Sequence, residues 1–336
     1  MSNFRPMVGN LLASVIFVEG PPGSSAQLDE AQKNEALLSV LTGCGLLRRL
    51  AETWGRAQAP PIRRVCTFTV VWRTVRLTLD PAMLPVGGRF SEVDEVWLRD
   101  ATAALNFSDG TMPERIEKFR QALFAGTFLG LGIADAFPIF VTNYPCSKPS
   151  HAPNGMAVIL PWWVASATQS GNLDGLVAHE IGHVFGAPDE YGHCTTGQTA
   201  GFFGTANTNC AFVGRSPDVA NTAARERCVM DKHAHFLCRE TPGHWGWRDA
   251  DHDGVLDLAL PATVQVATRT VTPGTLVTIN GRNVWDARAV LFGNQRATEP
   301  IQVDNETTIV TTVPPGASGT VTISVLTRAG MSTPAP

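Results

Sequence analysis

HEIGHVFGAPDEY, residues 179–191, is the stretch on which the reading of this chain turns. On a helix, His179 and His183 stand four residues apart, so both imidazoles leave one face toward a single point. Two nitrogens so placed can grip one zinc ion. Glu180 lies beside them, able to reach a water at the metal without being a ligand. Gly186 ends the helix in a left-handed turn, and the chain can then double back. Asp189 becomes the third ligand, and the fourth position stays open for water and substrate. His193 is the alternative third ligand. Tyr191, one of only two tyrosines, adjoins the motif and either stabilises an oxyanion or packs the loop. With 8 histidines in 336 residues, HExxH arises by chance in about one shuffled chain in a hundred. Requiring the later Gly and Asp makes it about one in thirty thousand. Two histidines that merely face solvent are the weaker explanation.

Working outward, the preceding residues alternate between strand and helix patterns. Residues 11–18 read as a buried strand and 29–53 carry leucines at helical spacing. Residues 65–79 have strand composition, 92–105 and 113–128 read as helices, and 136–142 and 156–163 as short strands. The helix 173–186 carries the motif, and 191–247 is loop-rich. This alternation predicts a layered domain over residues 1–248. From residue 261 helical periodicity stops. Strands at 275–280, 289–292, 308–313 and 320–326, separated by Asn280-Gly281, Gly293-Asn294 and Pro314-Pro315-Gly316, predict a small β-sandwich over 261–336.

Two resemblances sharpen these expectations. TPGTLVTINGRNV (272–284), AVLFGNQRAT (289–298), TTIVTTVPPGASGTVTISVLT (307–327) and GMSTPAP (330–336) resemble the IPT/TIG immunoglobulin-like family. That implies a binding or spacer module, with a protein or glycan partner and no chemistry of its own. HExxHxxGxxD resembles the metzincin clan of zinc metallopeptidases, in the form where Asp replaces the usual third His. The words DEY, NTNC, CVM and GHWGW are similar to bacterial members. The resemblance implies an α+β catalytic domain, with a mixed sheet, an active-site helix and a loop-rich lower half. It implies a zinc endopeptidase with Glu180 as general base. Residues 156–163 would be the edge strand that pairs with an extended peptide. The clan also has a turn under the metal that carries a Met, and Met230 in Arg227-Cys228-Val229-Met230-Asp231 is the candidate. Lys232 stands where some members have a Tyr. His233, His235 and His244 read as wall residues. The rival readings are an adhesion or binding protein with a structural metal site, and a zinc hydrolase acting on a non-peptide substrate.

A second cation motif lies between the domains, at 249–260. Asp249, Asp251, Asp253 and Asp257 take positions 1, 3, 5 and 9 of an EF-hand-type loop. Gly254 is at position 6 and Val255 offers its carbonyl at position 7. Leu260 replaces the bidentate Glu of position 12. The loop resembles the abbreviated calcium sites of secreted bacterial proteins, and its calcium would be structural.

Composition narrows the partners and the compartment. A net charge of −4 and 17% charged residues leave no basic field for nucleic acid. No apolar run approaches a membrane span. Seven cysteines include two pairs that bracket polar loops, Cys194 with Cys210 and Cys228 with Cys238, as disulfides do outside the cytosol. Cys44, Cys66 and Cys146 stand apart. A secreted or otherwise exported protein is expected. Its first residues read as domain structure, without a clear signal peptide or activation segment.

Overall fold

The computed structural model describes residues 5–84, 90–131, 133–146, 155–162, 173–191, 194–210, 212–213, 216–217, 226–231, 234–249, 252, 254–259, 263–265, 272–282, 284, 287, 289–305, 308–327 and 330–332. The chain divides into two compact units. One is Ser2–Ala57 with Arg63–Trp247; the other is Arg248–Pro336 with Gln58–Ile62.

The first unit is a layered α/β structure. Strands β1 (Gly9–Glu19), β2 (Cys66–Arg76), β3 (Ile133–Thr142) and β4 (Val158–Pro161) form one sheet in the order β2-β1-β3-β4. Helices α1 (Glu30–Ala57), α2 (Phe90–Ala104) and α3 (Met112–Leu131) connect the first three, and α4 (Leu173–Val184) follows β4. All three ladders are parallel, which corrects the expected mixed sheet among the described residues. The reason lies in the connections. Helices carry the chain from β1 to β2 and from β2 to β3, and such crossovers return a strand in the same direction.

β1 is an interior strand, and its residues 11–19 are buried, as a strand covered on both faces must be. On one face Leu12, Ile16 and Val18 join Trp97, Ile116, Phe119 and Phe140. Trp97 stacks on Tyr144 with ring centroids 6.3 Å apart. On the other, Phe137 meets Phe185 edge to face at 5.6 Å, just beyond the end of α4. Helix α1 begins with a reciprocal cap: Gln32 N donates to Asp29 Oδ1, and Asp29 N to Gln32 Oε1, both at 2.8 Å. Leu46, Leu47 and Leu50 are buried along it. Leu38 and Leu41, at equally helical spacing, are exposed.

The second unit contains two antiparallel four-stranded sheets. Their strands are β5 (Thr263–Gln265), β6 (Leu276–Arg282), β7 (Ala289–Phe292), β8 (Gln295–Arg296), β9 (Thr298–Asn305), β10 (Thr308–Thr312), β11 (Ile323–Thr327) and β12 (Gly330–Met331). One sheet has the order β9-β10-β6-β5 and the other β8-β7-β11-β12. Ile279, Val290, Phe292, Ile309, Ile323 and Val325 form the core between them, the arrangement of an Ig-like sandwich.

Candidate metal centre

Helix α4 ends where the sequence predicts. Gly186 has φ +88°, Gly186 N donates to His183 O at 3.0 Å, and Ala187 N to Gly182 O at 3.1 Å. This is a Schellman ending. It turns the chain back along its own helix and brings Asp189 to the two histidines.

Three donor atoms converge there. His179 Nε2 and His183 Nε2 are 3.0 Å apart. Asp189 Oδ1 lies 3.1 Å from the first and 3.3 Å from the second. The far side of each ring is engaged: His179 Nδ1 contacts Val229 O at 2.9 Å and His183 Nδ1 contacts Ala187 O at 2.7 Å. A carbonyl oxygen only accepts, so both Nδ1 atoms carry the proton. In a neutral ring Nε2 is then a bare lone pair. Asp189 Oδ1 is buried with no hydrogen-bond donor directed at it. Three lone-pair atoms therefore face one another, an arrangement that costs free energy unless a cation lies among them.

The spacing fits zinc. Donors held tetrahedrally at about 2.0–2.1 Å from an ion sit about 3.3 Å from each other, close to the three separations here. The tethered Nδ1 atoms supply the outer contacts that orient metal-binding imidazoles. Burial works against ionisation of Asp189, but imidazoles protonated at Nε2 as well would donate to it and, with their charge, outweigh burial and hold its carboxyl well below the usual range. For His183, burial favours the neutral ring, yet Asp189 and the Glu180 charge raise its pKa above the ordinary value.

The floor of the site is the segment carrying Met230. Asp231 N donates to Cys228 O at 2.9 Å, closing a turn, and Met230 is fully buried. A Cβ on Gly182, between the two histidines, would lie 2.7 Å from Met230 Sδ and 3.0 Å from Trp245 Cζ2. The missing side chain is what lets these two residues reach the helix. Trp245 Nε1 also donates to Gly182 O at 3.1 Å.

Glu180 is buried at 5% exposure. The Tyr191 ring lies against His179, with centroids 5.8 Å apart. Burial, with the Asp189 and Glu180 carboxylates nearby, pushes its phenol up to about 12, so it remains a donor at neutral pH. His235 contacts Asp174 Oδ1 at 3.1 Å through Nε2, and His244 is buried with Nδ1 on Ala200 O at 3.0 Å. Neither joins the cluster. His193, Lys232 and His233 lie outside the described residues. β4 stands at the sheet edge among the described residues, while position 163 of the expected edge strand lies outside them.

The cysteines correct one expectation. Cys194 and Cys210 form a disulfide. Cys228 and Cys238 are thiols, gathered on a buried carboxylate that sequence reasoning missed, Glu190. Cys238 Sγ donates to Glu190 Oε1 at 2.9 Å, and Thr241 Oγ1 to the same oxygen at 3.1 Å. Cys228 Sγ meets Thr241 Oγ1 at 3.1 Å. A carboxylate at 1% exposure needs donors, and thiol protons supply them. Burial still pushes the Glu190 carboxyl upward against these hydrogen bonds. The asparagines of NTNC serve the same loop: Asn207 Nδ2 donates to Asp189 O at 2.9 Å and Asn209 Nδ2 to Glu190 Oε2 at 2.6 Å. Only their place in a family-like word marked them.

In the acidic loop, Asp249 Oδ2 accepts from Gly254 N at 3.0 Å. Asp257 Oδ2 accepts from Arg248 Nε at 2.7 Å, so its carboxylate faces an arginine. Val255 is exposed. Asp251, Asp253 and Leu260 lie outside the described residues. Among the described residues no helix is long and apolar enough to cross a membrane.

Comparison with known proteins places one part of the chain. None of the curated proteins matches it. Among solved structures it is similar to SGBP-B from a complex xyloglucan utilization locus in Bacteroides uniformis, at 24% identity and a TM-score of 0.21. That likeness covers 23% of this chain and spans 22% of the other, and it carries no argument about function. Residues 263–336 match the model of the IPT/TIG domain, so the chain carries an IPT/TIG domain in its second unit.

Proposed function

We propose that the chain is a zinc-dependent endopeptidase of metzincin type whose IPT/TIG domain serves as a binding module for a protein or glycan. One observation carries the reading: two imidazole nitrogens and a carboxylate oxygen converge at 3.0–3.3 Å with both Nδ1 atoms committed elsewhere.

His179, His183 and Asp189 would hold the ion, the histidines as neutral donors and the aspartate as the anionic one. Zinc supplies Lewis acidity at the scissile carbonyl and draws the pKa of a water toward neutrality. Glu180, adjacent to the first ligand and not part of the donor triangle, accepts the proton of the attacking water and returns it to the leaving amine. Tyr191 keeps its proton and donates to the developing oxyanion. Met230 and Trp245 support the helix between the two histidines. The Cys194–Cys210 disulfide supports an exported protein in an oxidising compartment. The carboxylates of 249–257 support a structural calcium there.

The test is to incubate the wild type and Glu180→Gln with a mixed proteome and map the new peptide termini. Wild type is expected to generate them. The variant should lose about 10²–10⁴-fold in rate while keeping its zinc. Zinc bound with no new termini would favour a structural metal in a binding protein, or a non-peptide substrate.

A further inference from the structure

The proposed zinc site has a ligand from a loop, and a loop ligand is only as well placed as whatever holds the loop. His179 and His183 are fixed by α4 itself. Asp189 lies beyond the helix end, after Ala187 and Pro188. We infer that Glu190 is the positioning residue that sets Asp189 on the metal, acting through a buried cage of hydrogen-bond donors beneath it. This rests on the zinc reading above.

The geometry is specific. Glu190 N donates to Met230 O at 3.1 Å, fastening the loop backbone to the floor of the site. Its side chain points into the cage formed by Asn209, Cys238 and Thr241, with Cys228 behind the threonine. The contacts admit a consistent placing of the protons. Asn209 Nδ2 donates to Oε2 at 2.6 Å, and Cys238 and Thr241 donate to Oε1 at 2.9 and 3.1 Å. The Thr241 hydroxyl, having spent its proton, accepts from Cys228 at 3.1 Å. Asn209 cannot flip to suit another partner. Its Nδ2 also donates to Glu226 O at 2.9 Å, and its Oδ1 accepts from Glu226 N at 2.8 Å. The cage thus requires an acceptor on the Asn209 side and tolerates either polarity on the other, where a hydroxyl and a thiol can turn.

That asymmetry yields a test with a built-in rescue. In Glu190→Gln the amide oxygen can face Asn209 while the amide nitrogen donates to Thr241. In Glu190→Ala the donors are stranded and the loop loses its anchor. Zinc affinity should be measured on the full chain by competition with a chelator, alongside the melting temperature of each metal-stripped protein. Outer contacts of this kind contribute about 10–100-fold to metal affinity. Glu190→Ala is expected to lose about that much, and Glu190→Gln to stay within about threefold of wild type. Should Glu190→Ala not fold, Thr241→Val removes one donor at nearly constant volume and should cost several-fold. A variant that melts earlier while binding zinc as tightly as wild type would overturn the inference, leaving Glu190 a purely structural residue. So would two zinc ions per wild-type chain with one lost in Cys238→Ser, because the cage would then be a metal site itself. No zinc in the wild type at all would defeat the zinc reading instead.

Discussion

The two acidic segments proposed to hold metals behave differently when their surroundings are drawn in. Residues 179–189 bring three donors to one point, and their outer atoms are tied to Val229 O and Ala187 O. Residues 249–257 carry four aspartates in nine positions. Yet of the two described carboxylates, one faces Arg248 and the other accepts from Gly254 N. The difference is one of framework. A helix holds i and i+4 on one face whatever else happens, so spacing alone delivers the histidine pair. A loop has no such constraint, and its carboxylates are open to any nearby cation, including an arginine.

The contrast can be broken most sharply by removing donors. His179→Ala, His183→Ala and Asp189→Ala are each expected to reduce zinc, measured by metal analysis after dialysis, from one per chain to near none. Asp249→Ala should leave zinc unchanged. Retention of zinc by Asp189→Ala would point to a different third ligand, with His193 the first to examine.

A smaller effect is expected beneath the site. Gly182→Ala gains about 1 kcal/mol of helix propensity. It also drives a methyl group into Met230 and Trp245, and overpacking a core costs about 1–3 kcal/mol. A net loss of up to about 2 kcal/mol should lower the melting temperature by several degrees and weaken zinc binding, because Val229 O moves with its neighbour Met230. An unchanged melting temperature would show that the floor gives way more easily than its packing suggests.

Calcium should have the smallest effect. At an affinity of about 10⁻⁴–10⁻³ M, 1 mM calcium adds about 0.4–1.4 kcal/mol to stability by mass action. The Arg248–Asp257 pair must yield first, so the low end is expected, and Asp249→Ala should abolish it. A calcium-indifferent melting curve at controlled zinc would reduce the segment to an acidic turn closed by its own hydrogen bonds.

These outcomes also mark how far the sequence was readable. The helix, its Gly186 ending and the return of Asp189 followed from local spacing, and the sandwich from its strands and turns. What escaped depends on residues distant in sequence. Glu190 is anchored by Asn209, Cys238 and Thr241, which lie 19, 48 and 51 positions away, and nothing in its own neighbourhood marks it as buried. Cys228 and Cys238 bracket a loop as a disulfide pair would, but the demand of a buried carboxylate for protons is invisible in spacing. Leu38 and Leu41 share the helical period of their buried neighbours. Only the packing of α1 decides which stripe faces the sheet. Strand direction likewise depended on the connections and not on strand composition.

The central claim is that this chain holds zinc through two imidazoles and a carboxylate, and X-ray absorption at the zinc edge tests it directly. The purified protein should show a first shell of nitrogen and oxygen only, at about 2.0–2.1 Å, with the outer-shell signature of two imidazoles. A sulfur shell at about 2.3 Å would place the metal on Cys228 and Cys238, and an absence of zinc would remove it altogether. Either result would contradict the account.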